Sequence, residues 1–333
     1  MNKHVELPLS EPLYSTYHYQ GNGCAMLTEN PSIKNWYLNR VMNLRCSRRI
    51  VYGCTSPFIS VNESAADENP YIEKIWLKMQ YLGSDVHRII RRFLDNGYYV
   101  AFDGIDDYYV KGKSWYHENH FIHDGMICGY NQNNRTYTVY AYDSSWIYKP
   151  FQTPQGCLEA GRKASFAEGY YGSICGMKVK PDIVEINPSE ICTCLKEYIS
   201  SSLDKYPVYS DGAAYGMAVH DYIAMYVNKL ADQSIPYKRT DQRVFRMLWE
   251  HKKVMLERIL AVEDKLHMNR EISSQYSDIV KETDTLRMMY ASHLIKPRFS
   301  ILFMMRDRLI AIKQSEEKLL IRFIEKTEEA VKT

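Results

Sequence analysis

The clearest hydrophobic pattern lies in the second half of the chain, where apolar side chains recur at spacings of three and four. Such a stripe predicts an amphipathic helix with one buried face. Further helices are predicted roughly over 189–203, 215–230, 270–289 and 298–326, with Pro297 as a break before the last. We expect His251, which lies on the stripe, to be buried and hydrogen-bonded rather than catalytic. The stripe consists of Val244, Leu248, His251, Met255, Ile259, Val262 and Leu266.

The first half has a different pattern, made of short runs rich in β-branched and aromatic residues. Three runs cover 98–102, 125–130 and 136–142, and the polar segment 131–134 between the last two predicts a β-hairpin. A helix is predicted over 70–94, divided near 83–85. Of the 28 tyrosines, 19 precede residue 180, so the composition changes near residue 185. We therefore predict two domains, 1–185 and 186–333.

Length, composition and charge argue against several classes of function. The 333 residues are 45% hydrophobic, which is enough for two packed cores, and the net charge of +2 gives no electrostatic surface for nucleic acid. No apolar run is long enough for a membrane helix, and the first residues lack the apolar core of a signal peptide. We expect a cytoplasmic protein without a membrane partner.

The eight cysteines are expected to be mostly reduced thiols in such a compartment. Cys192 and Cys194 are too close in sequence for the usual zinc pair, and no second pair accompanies them. No metal and no other cofactor is therefore expected. Cys24 differs from the rest, because it follows a glycine-rich turn and precedes a stretch that could open a helix.

Three residues have the order and context of a nucleophile, its base and the base's orienter. Cys24 at a helix N-terminus would feel the helix dipole, which favours the thiolate. His123 opens an apolar strand and Asp143 ends the next strand, so antiparallel pairing would bring the two side chains together. We predict a catalytic triad of Cys24, His123 and Asp143.

An oxyanion hole is expected beside this nucleophile. The backbone N–H of Cys24 would supply one donor, and the side-chain amide of Gln20 or Asn22 would supply the other. Either amide has a second interpretation, since it can instead cap the turn.

Three residues near His123 are assigned to the substrate side. His120 competes with His123 for the role of base, but His123 has the better spacing to Gly129. Asp106 and Asp107 are candidates to attract a cationic amine. For each carboxylate a solvated loop or a helix cap is the alternative.

The spacing around His123 resembles that of papain-like cysteine peptidases. In both, a histidine precedes a short apolar strand, a Gly-Tyr pair and a second strand. The peptidases then continue with Asn-Ser-Trp, where this chain has Asp143-Ser144-Ser145-Trp146. The aspartate resembles the double-glycine peptidase branch, which uses Cys, His and Asp.

A narrower resemblance is to the butirosin-biosynthesis acyltransferase family. It involves the stretch that starts at Asp106-Asp107-Tyr108-Tyr109-Val110, and also Tyr215-Gly216-Met217 and Trp249-Glu250-His251-Lys252-Lys253. The family implies transfer of an acyl chain from a carrier-protein phosphopantetheine thioester, through acyl-Cys24, to a small amine or diamine. Its partners would be an acyl or peptidyl carrier protein and that acceptor.

Together, these resemblances imply an α+β fold. They predict a papain-like core with an antiparallel sheet and an N-terminal nucleophile helix, followed by a C-terminal all-helical region. The same triad serves a cysteine peptidase or thioesterase, so hydrolysis remains the alternative to amide formation.

Overall fold

The computed structural model describes residues 3–52, 56–61, 69–201, 212–237 and 240–332. They contain two compact units: the first comprises 1–33 and 65–183, and the second comprises 34–64 and 184–333. One crossing between the units thus lies next to the predicted boundary at 185. The segment 34–64, which the sequence predicts in the first domain, belongs with the helical unit.

The described residues form ten strands and nine α-helices. The strands are β1 His4–Glu6, β2 Leu44–Ser47, β3 Ile59–Val61, β4 Ile72–Lys78, β5 Tyr99–Asp106, β6 Ile122–Asn131, β7 Thr136–Tyr142, β8 Tyr148–Pro154, β9 Ser173–Val179 and β10 Ala213–Tyr215. The helices are α1 His18–Ala25, α2 Lys34–Arg40, α3 Val86–Asp95, α4 Gln155–Ala167, α5 Pro188–Ser200, α6 Val219–Ala231, α7 Arg243–Lys265, α8 Glu271–Ile295 and α9 Phe299–Lys332.

The first unit is built on a seven-stranded antiparallel sheet. Its order is β4-β9-β5-β6-β7-β8, and β1 pairs with β6. Apolar residues of β5, β6 and β7 form one buried cluster with residues of α3 and α4, including Val100, Ile127, Val139, Ile90 and Leu158. The α+β class and the antiparallel sheet agree with the sequence-based prediction.

The predicted hairpin is confirmed, because β6 and β7 pair antiparallel across the polar turn. The predicted helix over 70–94 is wrong in its first half. Residues Ile72 to Lys78 form strand β4, which pairs with β9 along its whole length, and two short 3-10 turns lead from it to the α-helix α3. The Glu and Lys residues of β4 favour a helix locally, but pairing with β9 overrides this weak preference.

The second unit contains the predicted helices. In α7 the residues of the predicted stripe from Val244 to Val262 are buried, and His251 is fully buried with Nε2 2.7 Å from the carbonyl oxygen of Met42. The helix predicted over 189–203 ends at Ser200, and its last two residues lie outside the described ranges. The break at Pro297 separates α8 from α9.

A buried ionic network lies inside the helical unit. Lys252 Nζ of α7 lies 2.6 Å from Glu316 Oε2 of α9, and both side chains are fully buried. Tyr276 donates a hydrogen bond to Glu316, and Lys252 donates one to Tyr198. Each charge therefore has a partner that offsets its removal from water.

None of the helices in the described ranges has the length and apolar character that crossing a bilayer requires.

Candidate active site

His123 is the second residue of β6, and its ring lies between two carboxylates. Nδ1 is 3.3 Å from Asp107 Oδ2, and Nε2 is 3.3 Å from Asp124 Oδ1. Asp107 comes from the turn after β5, where its N–H donates to the carbonyl of Phe121. The pairing of β5 with β6 thus brings Asp107 beside the histidine. The His123 side chain is 36% exposed, so solvent reaches it.

Lys113 completes the polar surroundings of this histidine. Its buried ammonium lies 3.2 Å from Asp107 Oδ1 and donates a 2.8 Å hydrogen bond to the carbonyl of Asp124. Because the Asp107 side chain is only 2% exposed, this cation offsets much of the cost of burying its charge. Lys113 thus holds the Asp107 carboxylate beside His123.

His18, the first residue of α1, lies on the other side of Asp124. The backbone N–H of Tyr142 donates to His18 Nε2 at 3.2 Å, so this nitrogen carries a lone pair and Nδ1 carries the proton. Nδ1 lies 2.6 Å from Asp124 Oδ1 and donates to it. Burial lowers the pKa of His18 to about 4, although Asp124 acts in the opposite direction. His18 is thus a neutral donor near pH 7.

Asp124 is ionised in this arrangement. Burial opposes its charge, but the His18 hydrogen bond and the charges of His123 and Lys113 outweigh burial and lower its pKa to about 2. Its side chain is 30% exposed, which makes it the carboxylate beside His123 that solvent can reach.

His18, His123 and Asp124 place their ligand atoms within 4.8 Å of one another, as a metal site would. The tautomer of His18 argues against this use. A metal at Nδ1 would require the proton on Nε2, where it would face the N–H of Tyr142. Lys113 adds a cation close by. The cluster is better described as a hydrogen-bonded acid–base group.

Cys24 does not occupy the predicted helix N-terminus. It is the seventh of eight residues in α1, so the positive end of the helix dipole lies at the far end, near His18. Six positions separate the two residues, which puts them about 120° apart around the helix. Cys24 is 1% exposed. The structure brings His18 against His123, with 4.6 Å between ring centroids.

The two oxyanion candidates have different surroundings. The Asn22 side-chain oxygen accepts a hydrogen bond from the Tyr148 hydroxyl at 2.7 Å. Gln20 is fully buried, and both polar atoms of its amide are without a hydrogen-bond partner. It precedes Cys24 by four positions and shares its helix face. Gln20 is therefore the better placed donor for chemistry at Cys24.

Asp143 follows β7 as predicted, but its carboxylate is directed elsewhere. Oδ2 lies 2.8 Å from Lys149 Nζ, and Oδ1 accepts from the backbone N–H groups of Ser145 and Ile147. Burial opposes ionisation, but these contacts outweigh it and lower the pKa of Asp143. Within the described ranges, the carboxylates in ion-pair contact with His123 are Asp107 and Asp124.

The register of the sheet explains this outcome. Counting on from the pair Met126–Tyr140 would set His123 opposite Asp143, but the β6–β7 ladder ends at that pair. Asp143 instead forms an isolated bridge with Lys113. Asp143, which the sequence predicts as the partner of His123, thus pairs with Lys113 instead.

The predicted acceptor residues are engaged within the protein. Asp106 accepts from the N–H groups of Tyr108 and Phe121 and lies 2.7 Å from His120 Nδ1, so it caps a turn, as the alternative interpretation held. Asp107 is buried against Lys113 and His123. His120 is exposed and stacks on Tyr108.

His18, Lys113 and Asp124 were not predicted as site residues. Asp124 was adjacent to His123 in the sequence, and an acidic neighbour of a proposed base is a usable signal. His18 and Lys113 carried no local signal, because their contacts depend on the packing of α1 and on the bridge to Asp143. No protein-family model matches the chain, and no curated protein sequence matches it.

Proposed function

We propose that the first unit transfers an acyl group from a carrier-protein phosphopantetheine thioester to an amine, with His123 as the residue that moves the proton. The position of His123 carries this proposal: the ring is partly exposed, and its Nδ1 lies 3.3 Å from buried Asp107. Asp107 fixes the ring through Nδ1, and Nε2, which faces the partly exposed carboxylate of Asp124, is the nitrogen that would take a substrate proton. The substrate class in this proposal comes from the resemblance to the butirosin-biosynthesis acyltransferases. The papain-like core that we propose for the first unit comes from the resemblance to papain-like enzymes.

The reaction can be written through His123 alone. The amine nitrogen attacks the thioester carbonyl while His123 Nε2 takes its proton. The C–N bond forms, the C–S bond breaks, and the proton passes to the departing sulfur. Asp107 and Asp124 stabilise the imidazolium that exists between these steps.

Two routes are consistent with this role. In the first, Cys24 is acylated and the amine then attacks acyl-Cys24. In the second, the amine attacks the carrier-bound thioester directly. The direct route is favoured by the burial of the thiol, since Cys24 is only 1% exposed.

Intact-protein mass and product analysis test both parts of the proposal, with octanoyl-pantetheine and a diamine as substrates. We expect His123→Ala to lose amide formation, whereas Cys157→Ala, which changes another thiol of the same unit, keeps it. An octanoyl adduct that disappears in Cys24→Ala assigns the covalent route. Amide formation by Cys24→Ala assigns the direct one. Normal turnover by His123→Ala contradicts the proposal.

Hydrolysis is the second candidate function, as a thioesterase or peptidase. It is favoured by the exposure of His123 and Asp124, at 36% and 30% of their side chains, since water reaches both. Free acid as the sole product with every amine tested would assign this function instead of amide formation.

A further inference from the structure

Three aromatic side chains form a partly exposed cluster near His123, here called the aromatic corner: Trp115, which is half-buried, Phe121 and Trp146. Phe121 is 45% and Trp146 51% exposed. The ring centroids of Trp115 and Trp146 are 5.3 Å apart, with their planes at 88°. Large aromatic side chains that stay in water together are typical of binding surfaces.

The aromatic corner is continuous with the candidate active site. The Phe121 ring centroid lies 4.8 Å from that of His123 and 6.4 Å from that of Trp115. The Phe121 ring therefore connects the His123 ring to the two tryptophans.

Trp146 is held in an unfavourable conformation. Its φ of 58° lies in the left-handed region, which residues with a side chain seldom adopt. The Asp143 carboxylate fixes the surrounding turn through the N–H groups of Ser145 and Ile147, and Lys149 fixes that carboxylate. Such strain at an exposed tryptophan does not serve core packing, and strained residues concentrate at functional sites.

We infer that the aromatic corner binds the apolar part of the acyl group, an alkyl or aryl chain whose carbonyl lies at His123. This inference rests on the proposed acyl transfer. Two rings at nearly a right angle offer two apolar walls to such a chain. Asp143 directs both oxygens to Lys149 and to its own turn, so it adds no free negative charge at the rings for a cationic amine. Asp143 is thus a positioning residue for Trp146.

Binding of unreactive substrate analogues tests the inference. Octanoyl- and acetyl-pantetheine are used with a carboxamide in place of the thioester, and their affinities are measured by calorimetry. We expect the octanoyl compound to bind the natural protein at least about 10-fold more tightly than the acetyl compound, from burial of its chain. Trp146→Ala should remove most of this preference and Trp146→Phe should restore part of it. Trp76→Ala changes an exposed tryptophan of β4 and is the matched control.

The outcomes separate this inference from the proposed function, because binding needs no catalysis. A chain-length preference that Trp146→Ala abolishes supports the aromatic corner even if no thioester is turned over. An unchanged preference in both Trp146→Ala and Phe121→Ala overturns it, even if acyl transfer is observed. Phe121→Ala is included so that the test does not depend on the turn around Trp146.

Discussion

At the scale of single residues, the pair His18–Asp124 links the candidate site to the stability of the fold. The pKa of His18 in the folded protein is about 4, below its usual 6.5, because the ring is buried. As the pH falls, the unfolded chain therefore binds this proton before the folded protein does. The folded state loses stability across that interval.

We expect this loss to be measurable as a pH dependence of the free energy of unfolding. Between pH 6.5 and 4, proton binding at His18 of the unfolded chain should lower the free energy of unfolding by up to about 3 kcal/mol. Asp124, with its pKa lowered to about 2, loses its contribution only below about pH 4. Denaturant unfolding of His18→Asn, which keeps a donor for Asp124, should show a smaller fall over pH 6.5 to 4. If the free energies of unfolding of the two proteins fall in parallel over this pH range, His18 is not a buried neutral imidazole in the folded state.

The carboxylate that serves His123 gives a second prediction at this scale. Asp107→Asn should lower kcat for acyl transfer by about 100-fold or more, because an amide cannot stabilise the imidazolium as a carboxylate does. KM for the thioester should change little, since Asp107 is buried. Asp143→Asn should lower kcat much less, because Asp143 contacts Lys149 rather than His123. A larger loss of kcat in Asp143→Asn would restore the triad predicted from the sequence.

The sequence predicts the position of His123 in the candidate site, but it does not predict the carboxylate that contacts this histidine. His123 could be located because a histidine at the start of an apolar strand, followed by Gly129-Tyr130, is a local pattern. Its carboxylate could not, because the choice depends on where the β6–β7 ladder ends and on the pairing of β5 with β6. Both are long-range properties of the sheet that spacing along the chain does not contain.

At the scale of elements, α1 is fixed by close packing against β8. A Cβ on Gly21 would lie 2.6 Å from the Tyr148 ring, and the Tyr148 hydroxyl donates to Asn22 on the same helix. The glycine therefore permits the approach of the aromatic ring to the helix backbone.

Gly21→Ala tests this contact through stability. We expect a loss of about 1–3 kcal/mol in the free energy of unfolding, because the Tyr148 ring must move. Gly156→Ala in α4 is the matched control, since its Cβ would meet no atom within 4 Å and alanine favours a helix. Thermal unfolding of both variants should show opposite or clearly unequal shifts. Equal behaviour would indicate that Tyr148 does not restrain α1.

Elements with strong periodicity were predictable, and those defined by their partners were not. The stripe of α7 and the β6–β7 hairpin are visible in the chain because each buries a regular set of apolar residues. β4 has mainly partly or fully exposed side chains, and its strand character comes from backbone pairing with β9. The helix preference of its residues therefore led to a wrong prediction, because β4 is the edge strand of the sheet.

At the scale of the whole molecule, the buried Lys252–Glu316 pair should determine the stability of the helical unit. Glu316→Gln leaves a buried lysine without its counter-charge, which typically costs about 3–5 kcal/mol. Hydrogen exchange should show faster exchange in α5, α7, α8 and α9, with smaller changes in the seven-stranded sheet. Glu328→Gln, which breaks a surface pair with Lys196, is the control and should change little. Uniform acceleration in both units would mean that they unfold together.

The division of the chain into units has a consequence for its synthesis on the ribosome. Strand β2 lies early in the sequence, but it pairs with β10, and Ser47 is matched with Ala213. At usual rates of elongation, β2 emerges about 10–30 s before this partner. During that time the first unit can close its own sheet, while the segment 34–64 waits as unfinished nascent chain. A chaperone that binds exposed apolar segments could therefore bind the segment 34–64 until β10 emerges.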